Sequence, residues 1–288
     1  MKPRAKFYLI LALALVSAAV LAQFRRSGAR MSTGDITTAR QGTPDGEPTP
    51  MWTNAPAFKK DVFTFCRIRY SSWGGRGYGG ARWAIDFPDA DLNLSYRLQQ
   101  MTSLKVDPEG RVIDIENPEL FNYPWTYMIE PGALRFSDEE VPILRKYLLN
   151  GGFMMVDDFW GESEWENFYR EIKRVFPERE PIELEMDHPI FHTVFDIKLT
   201  KNQLQCPNVG TGTRSQYDGV TWEREDARDV HFKGIFDDKG RMMVFIAHNT
   251  DNGDGWEREG ENEYYFREFS EKRAYPLGIN VIFYSMTH

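Results

Sequence analysis

Short apolar runs alternate with amphipathic segments along this chain from residue 62 onwards. Residues 62–70 are rich in β-branched and aromatic side chains, which predicts a buried strand, and Leu94, Leu98 and Met101 share the spacing of one helical face. The alternation continues, with strands predicted at residues 112–115, 125–129 and 153–156 and helices at residues 137–149 and 165–176. This order predicts a three-layer α/β domain, in which helices cover both faces of a parallel sheet.

The carboxyl-terminal part of the chain departs from this alternation. Residues 230–236 and 242–248 are two apolar runs joined by a short turn that contains Gly240, a pattern typical of a β-hairpin. Residues 275–286 predict a closing helix. We therefore expect the hairpin as an addition to the parallel sheet.

The amino-terminal residues have the pattern of a secretory signal peptide. Basic residues within the first six positions precede an apolar run over residues 7–21, and Val20 and Ala22 provide the small side chains that signal peptidase contacts. We expect cleavage after Ala22 and export to the periplasm or beyond, with an uncleaved membrane anchor as the alternative. Residues 23–50 are rich in Gly, Ser, Thr and Pro and predict a disordered linker, which leaves residues 51–288 for the folded domain.

Charge and cysteine content narrow the partners and the redox chemistry. The chain carries a formal net charge of −8, and loss of the basic signal segment makes it more acidic, so nucleic acid is not expected as a partner. Export permits a disulfide between the two cysteines, Cys66 and Cys206. Because Cys66 lies within the predicted strand at residues 62–70, a buried free thiol is the favoured alternative.

Five short segments occur in an order that resembles a known bacterial family. They are Arg69-Tyr70 ahead of a glycine-rich loop, and residues 86–93, 151–161, 187–192 and 251–256. From about Phe63 to its end, the chain is similar to the family described as domain of unknown function DUF4159. The resemblance implies a class I glutamine amidotransferase-like (ThuA-like) fold with a flavodoxin-like sheet, and it implies no established reaction.

The resemblance also implies where an amidotransferase would carry its nucleophilic cysteine, on the sharp turn after the central strand. The corresponding residues 156–161 contain no cysteine. Cys66 lies in an earlier strand and Cys206 in an irregular stretch, so neither replaces the missing thiol. Glutaminase activity is therefore not expected.

Asp157 and Asp158 are the first candidates for a functional site. They follow a predicted buried strand, and open α/β folds bind ligands at the carboxyl ends of their strands. Adjacent carboxylates bind divalent cations, activate water or hold sugar hydroxyl groups. The structural alternative is that one of them caps the next helix or pairs with an arginine. Trp160 lies in the same turn and is a candidate binding residue.

His188 is a candidate partner for these carboxylates. It stands close to a second imidazole, His192, and a metal site would need a further ligand such as Asp157 or Asp158. Pro189 argues against a regular helix that both histidines share. A turn held together by histidine hydrogen bonds is the favoured alternative, because histidine often fills such roles.

The end of the second hairpin strand is also polar. His248, Asn249 and Asp251 either line the same pocket as Asp157 or form a tight turn. The stretch from Thr250 onwards nearly fits a calcium-binding loop, but its first ligand position is threonine and no helix is predicted before it.

Arg69, Tyr70 and Trp73 lie at the start of the glycine-rich loop and are candidate ligand contacts. The glycine spacing at residues 75–80 matches a dinucleotide motif, but no helix follows directly, so nucleotide binding is not expected. The aromatic side chains of this region, Trp83 among them, suit stacking on a sugar or a peptide, or else pack down as a lid.

Two functions fit these features. The first is a degenerate, non-catalytic ligand-binding domain that recognises a carbohydrate or an envelope protein at the carboxyl edge of the sheet. The second is a metal- or carboxylate-dependent hydrolase in which Asp157 or Asp158 acts as base or metal ligand, assisted by His188 or His248. A purely structural envelope role is a third. A divalent cation is the only cofactor that these residues suggest, and contact with a membrane is expected only if the signal segment stays uncleaved.

Overall fold

A seven-stranded, mostly parallel sheet is formed within residues 33–58, 61–73 and 81–288, which the computed structural model describes. Its strands are β1 (Cys66–Arg69), β2 (Arg111–Asp114), β3 (Trp125–Ile129), β4 (Phe153–Asp157), β5 (Ile182–Glu183), β6 (His231–Phe236) and β7 (Met242–His248). They lie in the order β2-β1-β3-β4-β7-β6-β5, and β6 runs antiparallel to both of its neighbours. The predicted α/β class and the predicted hairpin are confirmed, and the order is compatible with a flavodoxin-like layout.

Helices follow most strands. They are α1 (Asp89–Met101), α2 (Glu140–Leu149), α3 (Gly161–Val175), α4 (Val209–Asp218), α5 (Asn252–Glu257), α6 (Glu263–Tyr265) and α7 (Tyr275–Thr287), with a π-helix over Phe266–Ala274 between the last two. Short 3-10 turns occur at Thr33–Asp35, Ala39–Gln41, Pro56–Phe58, Arg82–Ala84, Pro118–Asn122, Pro131–Ala133, Pro189–Phe191 and Asn202–Leu204. In the described part of the chain, no helix is both long and apolar enough to cross a membrane.

The two faces of the sheet carry different helices. Phe153 and Met155 of β4 belong to one large buried core, which also includes residues of α1, α5 and α7. Val156 points to the other face, as does Ile246 beside it in β7. His248 follows Ile246 at the strand spacing of two and contacts Trp165, so α3 covers this second face.

Residues 37–50 pack on the α/β unit, although the sequence predicts a disordered linker through residue 50. The Thr49 hydroxyl donates to the side chain of Asn93 in α1 (2.5 Å), and the Asp45 backbone N–H donates to Asp89 (2.6 Å). The predicted boundary at residue 51 is therefore too late. This segment is held on α1 by polar contacts. Such contacts produce no apolar periodicity, so the sequence pattern does not reveal them. The predicted signal peptide and the first part of the predicted linker lie outside the described residues.

A buried ion pair fixes the connection between β1 and α1. Arg67 is fully buried, and its guanidinium donates to both carboxylate oxygens of Asp91 at 2.5–3.0 Å. The same guanidinium donates to the backbone oxygens of Trp83 (3.0 Å) and Ile85 (2.9 Å). Because a buried charge without a partner destabilises a protein by several kcal/mol, roughly 3–5, this network holds the chain just before Asp86 in place.

Candidate ligand site

A small cavity lies at the carboxyl edge of the sheet. The chain continues from β1 to β2 on one side and then crosses to β3 on the other, and this reversal opens the crevice in which open α/β sheets bind ligands. The cavity has a volume of about 170 Å³. Its described lining residues are Ile85, Asp86, Glu130, Asp158, Trp160, Glu164, Asn208, Glu223, Arg224, Asp251 and Asp254.

The cavity wall is strongly acidic. Seven of the described lining residues are acidic, and Arg224 is the one basic residue among them. The acids come from every side: the connection before α1, the ends of β3, β4 and β7, the first turn of α3, and the segments around α4 and α5. The fold therefore gathers negative charge from sequence positions that are far apart.

Ion pairs neutralise part of this wall, and one of them joins Arg258 to Asp254 at 3.7 Å. Arg224 lies 2.5 Å from a carboxylate oxygen of Glu164, and Arg82 lies 2.8 Å from one of Glu130. Arg82 also approaches Glu164, at 3.9 Å. Both guanidinium groups are thus engaged next to β3 and α3.

Three aspartates on the remaining wall are held in unfavourable surroundings. Burial raises the pKa of Asp86, Asp158 and Asp251 well above the usual range. Their negative neighbours add to this effect, since the charge of Asp158 raises the pKa of both Asp86 and Asp251. Burial and mutual repulsion therefore favour protonated carboxyl groups, and a bound positive charge would favour their ionised form.

Backbone strain is concentrated at the same place. Four non-glycine residues in the described part of the chain have positive φ: Asp86 (56°), Glu130 (47°), Asp158 (55°) and Asn249 (62°). Three of them line the cavity, and Asn249 lies two residues before Asp251. A left-handed conformation costs a non-glycine residue about 1 kcal/mol or more, and such residues cluster at functional sites.

Asp157 supports the cavity from below and does not line it. It is fully buried and accepts hydrogen bonds from the backbone N–H groups of Asn252 (3.0 Å) and Gly253 (3.1 Å) and from the Tyr127 hydroxyl (3.0 Å). Burial raises its pKa to about 6. Of the two roles that the sequence left open for Asp157, the structure shows capping, although the capped helix is α5 and not α3.

The structure brings together three of the predicted site residues. Asp158, Trp160 and Asp251 all line the cavity, and the Trp160 indole N–H donates to an Asp158 carboxylate oxygen at 2.9 Å. Asp251 is also the N-cap of α5, where it accepts a hydrogen bond from the Asp254 backbone N–H at 2.7 Å.

Other predicted contact residues serve the framework. The Tyr70 hydroxyl lies 2.6 Å from the backbone oxygen of Ile129, which ties the loop after β1 to the end of β3. Arg69 pairs with Asp114 of β2. Asn249 accepts from the Gly161 backbone N–H at 2.8 Å and so connects β7 to α3.

The aromatic residues on the two sides of the glycine-rich loop differ in exposure. Trp73 is 61% exposed, whereas Trp83 is buried with the Arg69 guanidinium over its ring at 5.8 Å. Trp83 is therefore part of the framework and not of an exposed rim. Residues 75–80 lie outside the described residues.

Neither predicted histidine is among the described residues that line the cavity. His248 is buried between Phe159 and Trp165, its Nε2 lies 3.2 Å from the Gly161 carbonyl oxygen, and burial lowers its pKa to about 4. The strand pleat explains this position, because His248 points to the α3 face.

His188 plays a structural part at a distance from the cavity. Its Nδ1 accepts from the Ile190 backbone N–H at 3.2 Å, and its ring packs on Tyr284 of α7. His192 bonds to Asp196 through Nδ1 (2.7 Å). The structure therefore shows the histidine-held turn that the sequence analysis favoured.

Comparison with known proteins gives a family and no activity. The family model for a domain of unknown function, DUF4159, matches residues 64–286. The chain belongs to this family. A search of curated proteins finds no match. The matched residues of this DUF4159 chain include every described residue that lines the acidic cavity.

The cysteines of this DUF4159 domain are free and buried, as the position of Cys66 favoured. Burial raises the pKa of both thiols above the usual range. Cys66 lies in β1 and Cys206 lies 3.6 Å from the Tyr265 hydroxyl, and neither is among the described cavity residues. A buried, protonated thiol is a poor nucleophile.

Several cavity acids were not predicted as site residues. Glu130 directly follows β3, so the strand-end rule that found Asp158 applies to it equally. Asp254 belongs to the stretch that nearly fits a calcium loop, but α5 runs through that stretch and gives its residues helical spacing. Asp86 and Glu223 lie far from any strand end in the sequence, and only the folded chain brings them to the cavity.

Stability at alkaline pH provides a test of this electrostatic description. Burial raises the pKa of Glu257, beside Asp254, to about 9. The folded chain therefore holds a proton that the unfolded chain has lost, so the free energy of unfolding falls as the pH rises from 7 to 9. Glu257→Gln removes this titration, and we expect a fall that is shallower by up to about 1.4 kcal/mol per pH unit, measured by urea unfolding in EDTA.

The matched control is Glu178→Gln, which changes an exposed carboxyl whose pKa is lowered by Arg145. This variant should keep the pH slope of the unchanged protein. Burial lowers the pKa of His248 to about 4, and its contribution is the same in both variants and the unchanged protein, so it cancels from the comparison. Equal slopes for Glu257→Gln and the unchanged protein would contradict the description.

Proposed function

We propose that this protein is an exported ligand-binding domain that takes a positively charged group of its ligand into the acidic cavity. The observation that carries the proposal is the cluster of buried, mutually repelling carboxyl groups at the sheet's carboxyl edge. Perturbed carboxyl groups in a cleft mark functional sites. Carbohydrates and envelope proteins that carry amines or bound cations are the ligand classes that suit such a wall.

The size of the cavity limits what can enter. A volume of about 170 Å³ is below the roughly 300–1,000 Å³ of pockets that enclose a whole small molecule. It accommodates an ion with a few waters, or the charged end of a larger ligand. The exposed Trp73, on the loop that leaves β1, is available for the rest of such a ligand.

We infer a class I glutamine amidotransferase-like fold in which the amidotransferase reaction is lost. The parallel strands β2-β1-β3-β4-β7 follow the 2-1-3-4-5 order of flavodoxin-like sheets, which supports the fold. The loss of the reaction is supported by the turn between β4 and α3, where Asp158 and not a cysteine has a left-handed conformation. Both thiols lie elsewhere, in buried positions.

A hydrolase is the second candidate, favoured by one observation. Asp158 stands on a strained strand-to-helix turn, which is the type of turn that presents the nucleophile in α/β hydrolases. In such an enzyme the carboxyl groups of the cavity would act as base, nucleophile or metal ligands. Chemical conversion of a bound ligand, lost in Asp158→Asn, would favour this candidate over simple binding.

Export is part of the proposal and has its own test. The basic and apolar amino-terminal residues support a signal peptide that is cleaved after Ala22. We expect amino-terminal sequencing of the protein from the producing cells to begin at Gln23, in the periplasmic or extracellular fraction. A chain that retains Met1 in the cytoplasmic fraction would contradict export, and one that retains Met1 in the membrane would indicate an anchor.

Binding of charge-matched ligands tests the site. A panel of envelope glycans and peptides is presented in pairs, each amine-bearing member beside its N-acetylated form, with and without divalent cations. We expect calorimetry to show binding of amine-bearing or cation-loaded members. Asp158→Asn should weaken it by about tenfold or more, since a lost charged hydrogen bond is worth roughly 1.5–3 kcal/mol.

The control for the binding test is Asp138→Asn. The Asp138 side chain is 95% exposed, precedes α2 and is not among the described cavity residues. It should bind as the unchanged protein does. Equal binding of amine-bearing and acetylated members under both conditions, or retention of affinity in Asp158→Asn, would overturn the assignment of the cavity as the ligand site.

A further inference from the structure

Three of the cavity aspartates meet closely enough to share one ion. Asp86, Asp251 and Asp254 each place a carboxylate oxygen within 4.8 Å of the other two, and all three side chains are buried. Asp86 reaches this point from the connection before α1, while the other two come from the β7–α5 turn. Two separate parts of the chain thus converge on one position.

An orphaned oxygen belongs to one of these three carboxyl groups and lies against Gly253, between Asp251 and Asp254 in the chain. Asp86 Oδ2 is buried and has no hydrogen-bond partner among the described residues, and Asp86 as a whole is only 9% exposed. A buried carboxylate oxygen without a partner is costly unless a ligand satisfies it. One oxygen of Asp251 accepts from the Asp254 backbone N–H at 2.7 Å. One oxygen of Asp254 accepts from the Val209 backbone N–H, also at 2.7 Å.

The backbone is shaped to allow this approach. A Cβ atom at position 253 would lie 2.2 Å from Asp86 Oδ2, so only glycine lets the aspartate approach the β7–α5 turn so closely. Asp86 itself has φ of 56°, and the Arg67 network holds the residues before it. The chain thus holds Asp86, with its unsatisfied oxygen, in a carboxyl group close to two further carboxylates.

We propose that Asp86, Asp251 and Asp254 bind one hard divalent cation of the Mg²⁺, Ca²⁺ or Mn²⁺ type. Such ions take oxygen ligands, and the described cavity wall offers carboxylates with neither histidine nor cysteine. The cavity volume of about 170 Å³ leaves room for several waters at about 30 Å³ each, which would complete six-fold coordination. This inference rests on the proposed role of the cavity as the ligand site. It identifies the positive charge that the cavity takes as a divalent cation.

Titration of the full protein with metal ions tests the inference. After treatment with EDTA and its removal, we expect calorimetry with CaCl₂, MgCl₂ and MnCl₂ to show one ion bound per chain for at least one of these salts, with a rise in the Tm. Asp86→Asn should reduce that affinity by more than about tenfold, by comparison with the 10–100-fold losses at metal sites. Asp138→Asn should bind the ion unchanged.

A second measurement separates loss of the site from loss of the fold. Because Asp86→Asn removes a repelled carboxyl group, this variant should have a Tm in EDTA at least equal to that of the unchanged protein. It should then show little or no rise in Tm with metal. A Tm in EDTA well below that of the unchanged protein, or a metal affinity unaffected by Asp86→Asn, would overturn the assignment.

The outcomes also distinguish this inference from the proposed function. Binding of an amine-bearing ligand without any metal binding would overturn the cation site and leave the ligand site standing. Metal binding that depends on Asp86, without binding of any glycan or peptide, would support the cation site and contradict the wider function. Absence of both would overturn both.

Discussion

Repulsion among buried carboxyl groups governs the carboxyl edge of this sheet. Among the described residues, seven acids line one small cavity, and arginines pair with three of them, Glu130, Glu164 and Asp254. Burial and like charge raise the pKa of Asp86, Asp158 and Asp251. The left-handed backbone at three of the cavity residues adds further strain. Buried like charges and backbone strain both destabilise the folded chain. Their occurrence together is typical of a site that binds a ligand.

The rest of the molecule explains how this arrangement is held. Arg67 ties β1 to α1 and to the chain before Asp86, and Asp157 caps α5 from beneath the cavity. Tyr70 joins the ends of β1 and β3. These contacts are hydrogen-bonded and mostly buried, and they support the strained turns. The polar segment at residues 37–50 adds to it by packing on α1.

The sequence predicts the strands, and the edge of the sheet at which the cavity lies, better than it predicts the residues that line the cavity. The apolar runs of β3, β4 and β7 are visible in the sequence because burial on both faces removes polar residues. Asp158 was found because it follows β4. His248 was misplaced because pleat direction, which sends it towards α3, depends on register. Asp86 was missed because its position depends on a hydrogen-bond network around Arg67 that has no local sequence pattern.

Anomalous diffraction from crystals grown with Mn²⁺ is the most direct test of the claim that the acidic cavity is built around a cation. The account predicts one strong manganese peak in the cavity, within about 2.0–2.6 Å of oxygens of Asp86, Asp251 and Asp254. An intact fold with no manganese in the cavity, or with manganese held only by other residues, would contradict it.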